Sequence, residues 1–127
     1  MAVSWKVDRA ANLLVLTSDE DATFDEWTAA FNAAASQPDW HTGMRTLHDD
    51  RRMARVPSQA EAQSRGLFIL RRAKAVGIRR WAIVVPETVD KRDAHWLATV
   101  FADRDGVWCR MFTDLAEAEA WVQGNAA

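Results

Sequence analysis

Residues 44–76 read MRTLHDDRRMARVPSQAEAQSRGLFILRRAKAV. The stretch divides into three. Met44 to about Asp50 has the residue types of a strand. A basic loop carrying Arg51, Arg52 and Arg55 follows and ends at Pro57. Ser58-Gln59-Ala60-Glu61 then has the form of a capping box, with Ser58 accepting from a first-turn N–H and Glu61 reaching back. A helix therefore starts at Ser58. Ala62, Gly66, Ile69, Ala73 and Val76 form one face, Leu67 and Leu70 widen it, and Gly77 is placed to end it. A loop between a strand end and a helix start is where open α/β sheets bind ligands and partners.

The same pattern recurs outward. Upstream, Val3, Trp5 and Val7 alternate with polar residues, as in a half-buried strand. Leu13-Leu14-Val15-Leu16 reads as a strand buried on both faces, joined to the first as a hairpin. Ser18-Asp19-Glu20-Asp21 is expected to be a solvated turn. Thr23-Phe24-Asp25-Glu26 is another capping box, opening a helix over about 23–36 that Pro38 stops. Downstream, Trp81-Ala82-Ile83-Val84-Val85 is the continuous apolar run of a central parallel strand. A helix over about 89–103 follows, with Ala94, Leu97, Ala98 and Phe101 inward. Next come a turn at Asp103–Gly106, an alternating strand over Val107–Phe112, and a last helix with Asp114 and Glu117 at its start. The order is β-β-α-β-α-β-α-β-α. The expected fold is α/β: a mostly parallel sheet flanked by helices, with strand one an antiparallel edge. Strand order within the sheet is not readable from this pattern.

The 127 residues fit one domain, 1–127. A hydrophobic content of 49% with 27% charged residues is that of a globular chain able to build its own core. The single Cys109 excludes an intrachain disulfide and reads as a small core residue. LFIL (67–70) and WAIVV (81–85) are too short to span a bilayer, and the N-terminus lacks an apolar targeting core. A cytoplasmic location is expected. Residues 45–80 hold ten of the sixteen Lys and Arg but three of the eighteen Asp and Glu, so a charge of +7 faces −9 elsewhere. That asymmetry reads either as a face that attracts an anionic partner or as the solvated outer side of a helix. The sequence pI of about 5.9 and the lack of a reader motif argue against nucleic acid. Seven Trp accompany no Tyr. Most belong in the core, with one or two left to line a pocket or interface. Trp96 falls off the inward face of its helix and is the candidate exposed aromatic.

Catalytic signatures are missing. His41, His48 and His95 lack metal-site spacing, and no cofactor motif is present. Asp49 and Asp50 are adjacent, so on a strand they point to opposite faces. No nucleophile elbow or phosphate loop appears. The expectation is a protein that is not an enzyme.

Three strings, LHDDRRMARVPS (47–58), RRWAIVVP (79–86) and MFTDLAEAEAWV (111–122), together with the element order, resemble the STAS superfamily of sulfate-transporter and anti-sigma-factor-antagonist domains. The resemblance is to its stand-alone bacterial STAS-like or CRAL-TRIO-like members. It implies a regulatory, protein-interaction function. It also implies that Ser58 occupies a phospho-acceptor position and Asp50 the acid that ends the preceding strand. A phosphate there would meet a helix N-terminus, with Arg51, Arg52 and Arg55 at hand. The family's Asp-Ser-Ser/Thr-Gly-type signature is absent, and Pro57 stands where its Asp would be. Ser58 as a plain N-cap is the competing reading. Two further expectations stay open: a carrier or sensor of a small anionic or lipid-like ligand, which requires a Trp-lined cavity, and a homodimer through Trp96 and the edge strand.

Overall fold

A computed structural model describes residues 2–40, 43–104 and 106–124. His41, Thr42, Asp105 and Asn125, all assigned to connections by the sequence, lie outside the described residues. The elements are β1 (Val3–Asp8), β2 (Leu13–Ser18), α1 (Phe24–Ala35), β3 (Arg45–Asp49), α2 (Gln59–Val76), β4 (Arg80–Val84), α3 (Lys91–Val100), β5 (Trp108–Phe112) and α4 (Leu115–Val122). The expected α/β order is the observed one. One five-stranded sheet runs β1-β2-β3-β4-β5, with β1 antiparallel to β2 and every other pair parallel.

Local chemistry accounts for the helix ends. Thr23 and Glu26 form a complete capping box on α1. Ser58 caps α2 by accepting from the Glu61 N–H, and Asp114 caps α4 by accepting from the Glu117 N–H. The Glu61 carboxylate does not reach back. It turns instead to Arg65, one turn along the helix. Gly77, at φ 76°, ends α2 in the left-handed conformation that glycine adopts without a Cβ penalty. The third helix is shorter than the 89–103 expected at both ends: Asp90 caps its start at Lys91, and Phe101, at φ −97° and ψ 64°, leaves the helical conformation after Val100.

Strand order decides where the helices go. The strands follow one another in sequence, so crossovers of one hand place their helices on one face. α1, α2 and α3 pack there against Leu14, Leu16, Trp81, Ile83 and Cys109. α4 follows the last strand, makes no crossover, and covers the other face with Ala118, Trp121 and Val122 over Leu47, Ala82 and Val84. The strand β4 is therefore buried on both sides, as its apolar run requires. Three tryptophans fill the interior. Trp81 stacks on Phe31 and lies at a tilt against Trp27 in the three-helix layer, and Trp121 of α4 packs on Phe112 on the other face. Gly66 lets α2 and α3 approach, since a Cβ there would sit 3.1 Å from the Val100 Cγ1.

Candidate functional site: a charged cleft at the carboxyl edge

The parallel strands end together at one edge of the sheet. Between the β2–α1 loop and the β3–α2 loop lies an open cleft of about 280 Å³. One wall is Asp19, Glu20 and Asp21 with Phe24. The other is Met53, Ala54, Arg55 and Pro57. Asp50, Glu61 and Arg65 complete the lining.

The backbone fixes both walls. The Asp50 N–H donates to the Val84 carbonyl at 2.8 Å, carrying the β3–β4 pairing one residue past the strand. The Met53 N–H then turns back onto the Asp50 carbonyl. On the other side the Asp19 carboxylate accepts the Asp21 N–H at 2.9 Å, and the Asp19 N–H donates to the Ala2 carbonyl.

Arg65 is the centre of the charge arrangement. Its guanidinium lies 3.7 Å from Asp50 Oδ2 and 3.5 Å from Glu61 Oε2, and sits over the Phe24 ring at 6.0 Å. Asp50 is buried, and burial, aided by neighbouring Asp49, pushes its carboxyl up to about 6 although Arg65 opposes this. Behind Asp50, His48 is enclosed and bonds Ser18. Burial, reinforced by the Arg65 charge, lowers its imidazole to about 3 against a weaker pull from Asp49, so the ring is neutral. Asp49 faces the opposite way. Burial alone would raise it, but two hydrogen bonds from the Arg51 side chain and one from the Arg51 N–H hold it below the usual carboxylate range.

The candidate residues are thus separated rather than gathered. Asp50 and Arg55 line the cleft. Arg51 turns away to Asp49, and Arg52 is exposed. Ser58 is exposed, with its hydroxyl engaged as the α2 cap. The Asp49–Asp50 alternation holds: Asp49 pairs with Arg51, and Asp50 with Arg65 on α2. Trp96 is not the exposed aromatic. Its indole N–H donates to the Asp93 carboxylate at 2.9 Å, one turn back, and its ring packs on the core. The exposed tryptophan is Trp108, at 49%. The cleft lining contains no tryptophan.

Sequence reasoning missed the acidic wall and Arg65. The acidic run reads locally as a solvated turn, and only strand order brings it opposite the 50–57 loop. For Arg65 a signal existed: Glu61 and Arg65 are four apart, the spacing of a helical ion pair.

Chemically, the cleft presents five carboxylates and two guanidiniums. It is built to receive positive charge, and Arg65 keeps its floor from being uniformly negative. Among the described residues no group of His, Cys, Asp and Glu is arranged to hold a metal ion. No helix among them is long and apolar enough to cross a membrane. The fold is a small α/β domain with a charged cleft at the carboxyl edge of its sheet. Comparison with protein-family models, with curated proteins and with solved structures gives no match.

Proposed function

We propose that this chain is a STAS-like regulatory interaction module that binds a protein partner at the carboxyl edge of its sheet, with the cleft between residues 19–24 and 50–57 receiving a basic segment. The observation that carries the reading is the cleft itself. It lies where open α/β sheets bind their ligands, and one of its two walls is the acidic run Asp19–Asp21, with Asp50 and Glu61 adding carboxylates to the lining. Charge-complementary faces of this kind speed association and select partners. His48, the side chain best suited to acid–base work, is neutral, enclosed and committed to Ser18, which favours binding over catalysis. Phosphorylation of Ser58, within this reading, adds negative charge at the start of α2, one residue from Pro57 of the cleft wall, and tunes the partner's affinity.

The test is affinity capture from the cells of origin with wild type and with Glu20→Lys/Asp21→Lys, both residues being exposed on the loop. The expected result is a partner held by wild type and lost by the double variant, while Arg71→Glu on the outer side of α2 retains it. Equal recovery by all three proteins overturns the reading.

A further inference from the structure

The opposite end of the sheet carries a second site, and it does not depend on the reading above. In the parallel register Thr46 faces Trp81, so Arg45 and Arg80 begin adjacent strands one step earlier, and Arg80 pairs with Trp108. The amino ends of β3, β4 and β5 thus set Arg45, Arg80 and Trp108 side by side on the α4 face. With Arg79, Gly43 and Gly106 they line a basin of about 440 Å³. Both glycines have positive φ, and a Cβ on either would meet nothing within 4 Å, so the floor is open.

Two features of the basin have no structural explanation in packing alone. First, three guanidiniums converge, and among the described residues no carboxylate lines the basin or pairs with Arg45, Arg79 or Arg80. The end of α4 accounts for part of this: Arg45 Nη1 donates to the Gln123 carbonyl at 3.2 Å, and Arg80 Nη1 donates to the Trp121 carbonyl. Such arginines complement a helix C-terminus. That role leaves further N–H donors on each guanidinium and does not involve Arg79, which is exposed. Second, Trp108 is 49% exposed, although an indole this large gains much from burial. The Arg80 guanidinium sits between two indoles, 4.7 Å from the Trp108 ring centre and 5.1 Å from that of Trp121, so the Trp108 ring is held in place while much of it meets solvent.

We infer that this basin binds a nucleotide, with the base stacked on Trp108 and the phosphate held by Arg79, Arg45 and Arg80. Guanidinium groups match phosphate oxygens in geometry and charge, and a fixed indole offers a π-face to a base. A simple anion would use the arginines and leave Trp108 without a role. A planar ligand lacking phosphate would use Trp108 and leave Arg79 without one.

The experiment is calorimetric titration of the full chain with AMP, inorganic phosphate and adenosine at low salt. AMP is expected to bind at least about 10-fold more tightly than either fragment, since stacking and charge contribute together. Trp108→Ala should weaken AMP by roughly 10-fold or more and leave phosphate binding unchanged. Arg79→Ala should weaken AMP and phosphate alike. Both residues are exposed, and unchanged thermal midpoints show that the fold is intact. Should Trp108→Ala not fold, Arg79→Glu supplies the same test, because it must abolish binding of both phosphate-bearing probes. The inference is overturned if AMP binds no better than phosphate, if AMP gives no binding at millimolar concentration, or if AMP affinity survives both substitutions.

Discussion

Ser18 Oγ and His48 Nε2 lie 2.7 Å apart, both buried, and join the ends of β2 and β3. Leu16 is the register partner of His48, so Ser18 reaches it diagonally, two residues on and from the same face. Trp27 packs on the imidazole at 5.2 Å between ring centres. Ser18→Ala leaves one imidazole nitrogen buried without its partner and should cost about 1–3 kcal/mol. The double variant Ser18→Ala/His48→Phe removes both polar groups and should recover part of that loss. Urea midpoints for the four proteins of the cycle measure the coupling. Additive effects would show that the bond is energetically idle.

Asp50 and His48 make opposing contributions to stability against pH. The folded imidazole titrates at about 3 and an unfolded one near 6.5. As pH falls below 6.5 the unfolded chain takes up a proton that the fold refuses, and stability falls. The folded Asp50 carboxyl titrates at about 6, above its ordinary 3.8. Between these values the fold holds a proton that the unfolded chain has released, so stability rises as pH falls from 6 to 3.8. Each effect amounts to about 1.4 kcal/mol per pH unit at full slope. Asp50→Asn should therefore steepen the acid loss between pH 6 and 4, and His48→Phe should flatten or reverse it. Denaturation midpoints across that range give the slopes. Parallel profiles for wild type and both variants would remove these two groups from the balance.

Thr23 both caps α1 and shapes the cleft wall. Thr23→Ala removes the hydroxyl that accepts the Glu26 N–H, while the backbone N–H that donates to the Glu26 carboxylate remains, and should cost about 1 kcal/mol. The loss should appear as faster amide exchange in residues 23–27 before the rest of the sheet opens. Uniform exchange across the chain would mean that α1 and the sheet open as one unit.

Gly66 sits where α2 meets Val100 of α3, with a hypothetical Cβ 3.1 Å from its Cγ1 and 3.4 Å from its carbonyl oxygen. Alanine gains about 1 kcal/mol of helix propensity and strains this contact, so Gly66→Ala should be close to neutral. Gly66→Leu should cost about 1–3 kcal/mol by overpacking. A stable Leu variant would indicate that α3 shifts freely on the sheet.

Much of the fold was legible in local sequence because its signals act over a few residues. Thr23 with Glu26, Ser58 and Gly77 place helix ends through hydrogen bonds and dihedral preferences that need no distant partner. The run 81–85 marks a central strand because both its faces must be dry. Less of the cleft was legible. Asp50 and Arg55 were named for it, but Arg51 was drawn off by Asp49, a neighbour two residues away. The exposed tryptophan was misplaced for a physical reason as well. Trp96 satisfies its indole within its own helix and tucks against the core, whereas Trp108 stands at the end of an edge strand, supported by Arg80.

By itself, the sequence determined the elements, their order, their caps and the α/β class, since each follows from periodicity and short-range bonding. The tertiary structure decided the strand order, and with it everything that depends on distant neighbours. It set Asp19–Asp21 opposite residues 50–57, brought Arg65 to Asp50, joined Ser18 to His48, and gathered Arg45, Arg80 and Trp108 at the far edge. Crossover connections and the burial of two sheet faces fix those neighbours, and both are properties of the assembled sheet that no single stretch of the chain contains.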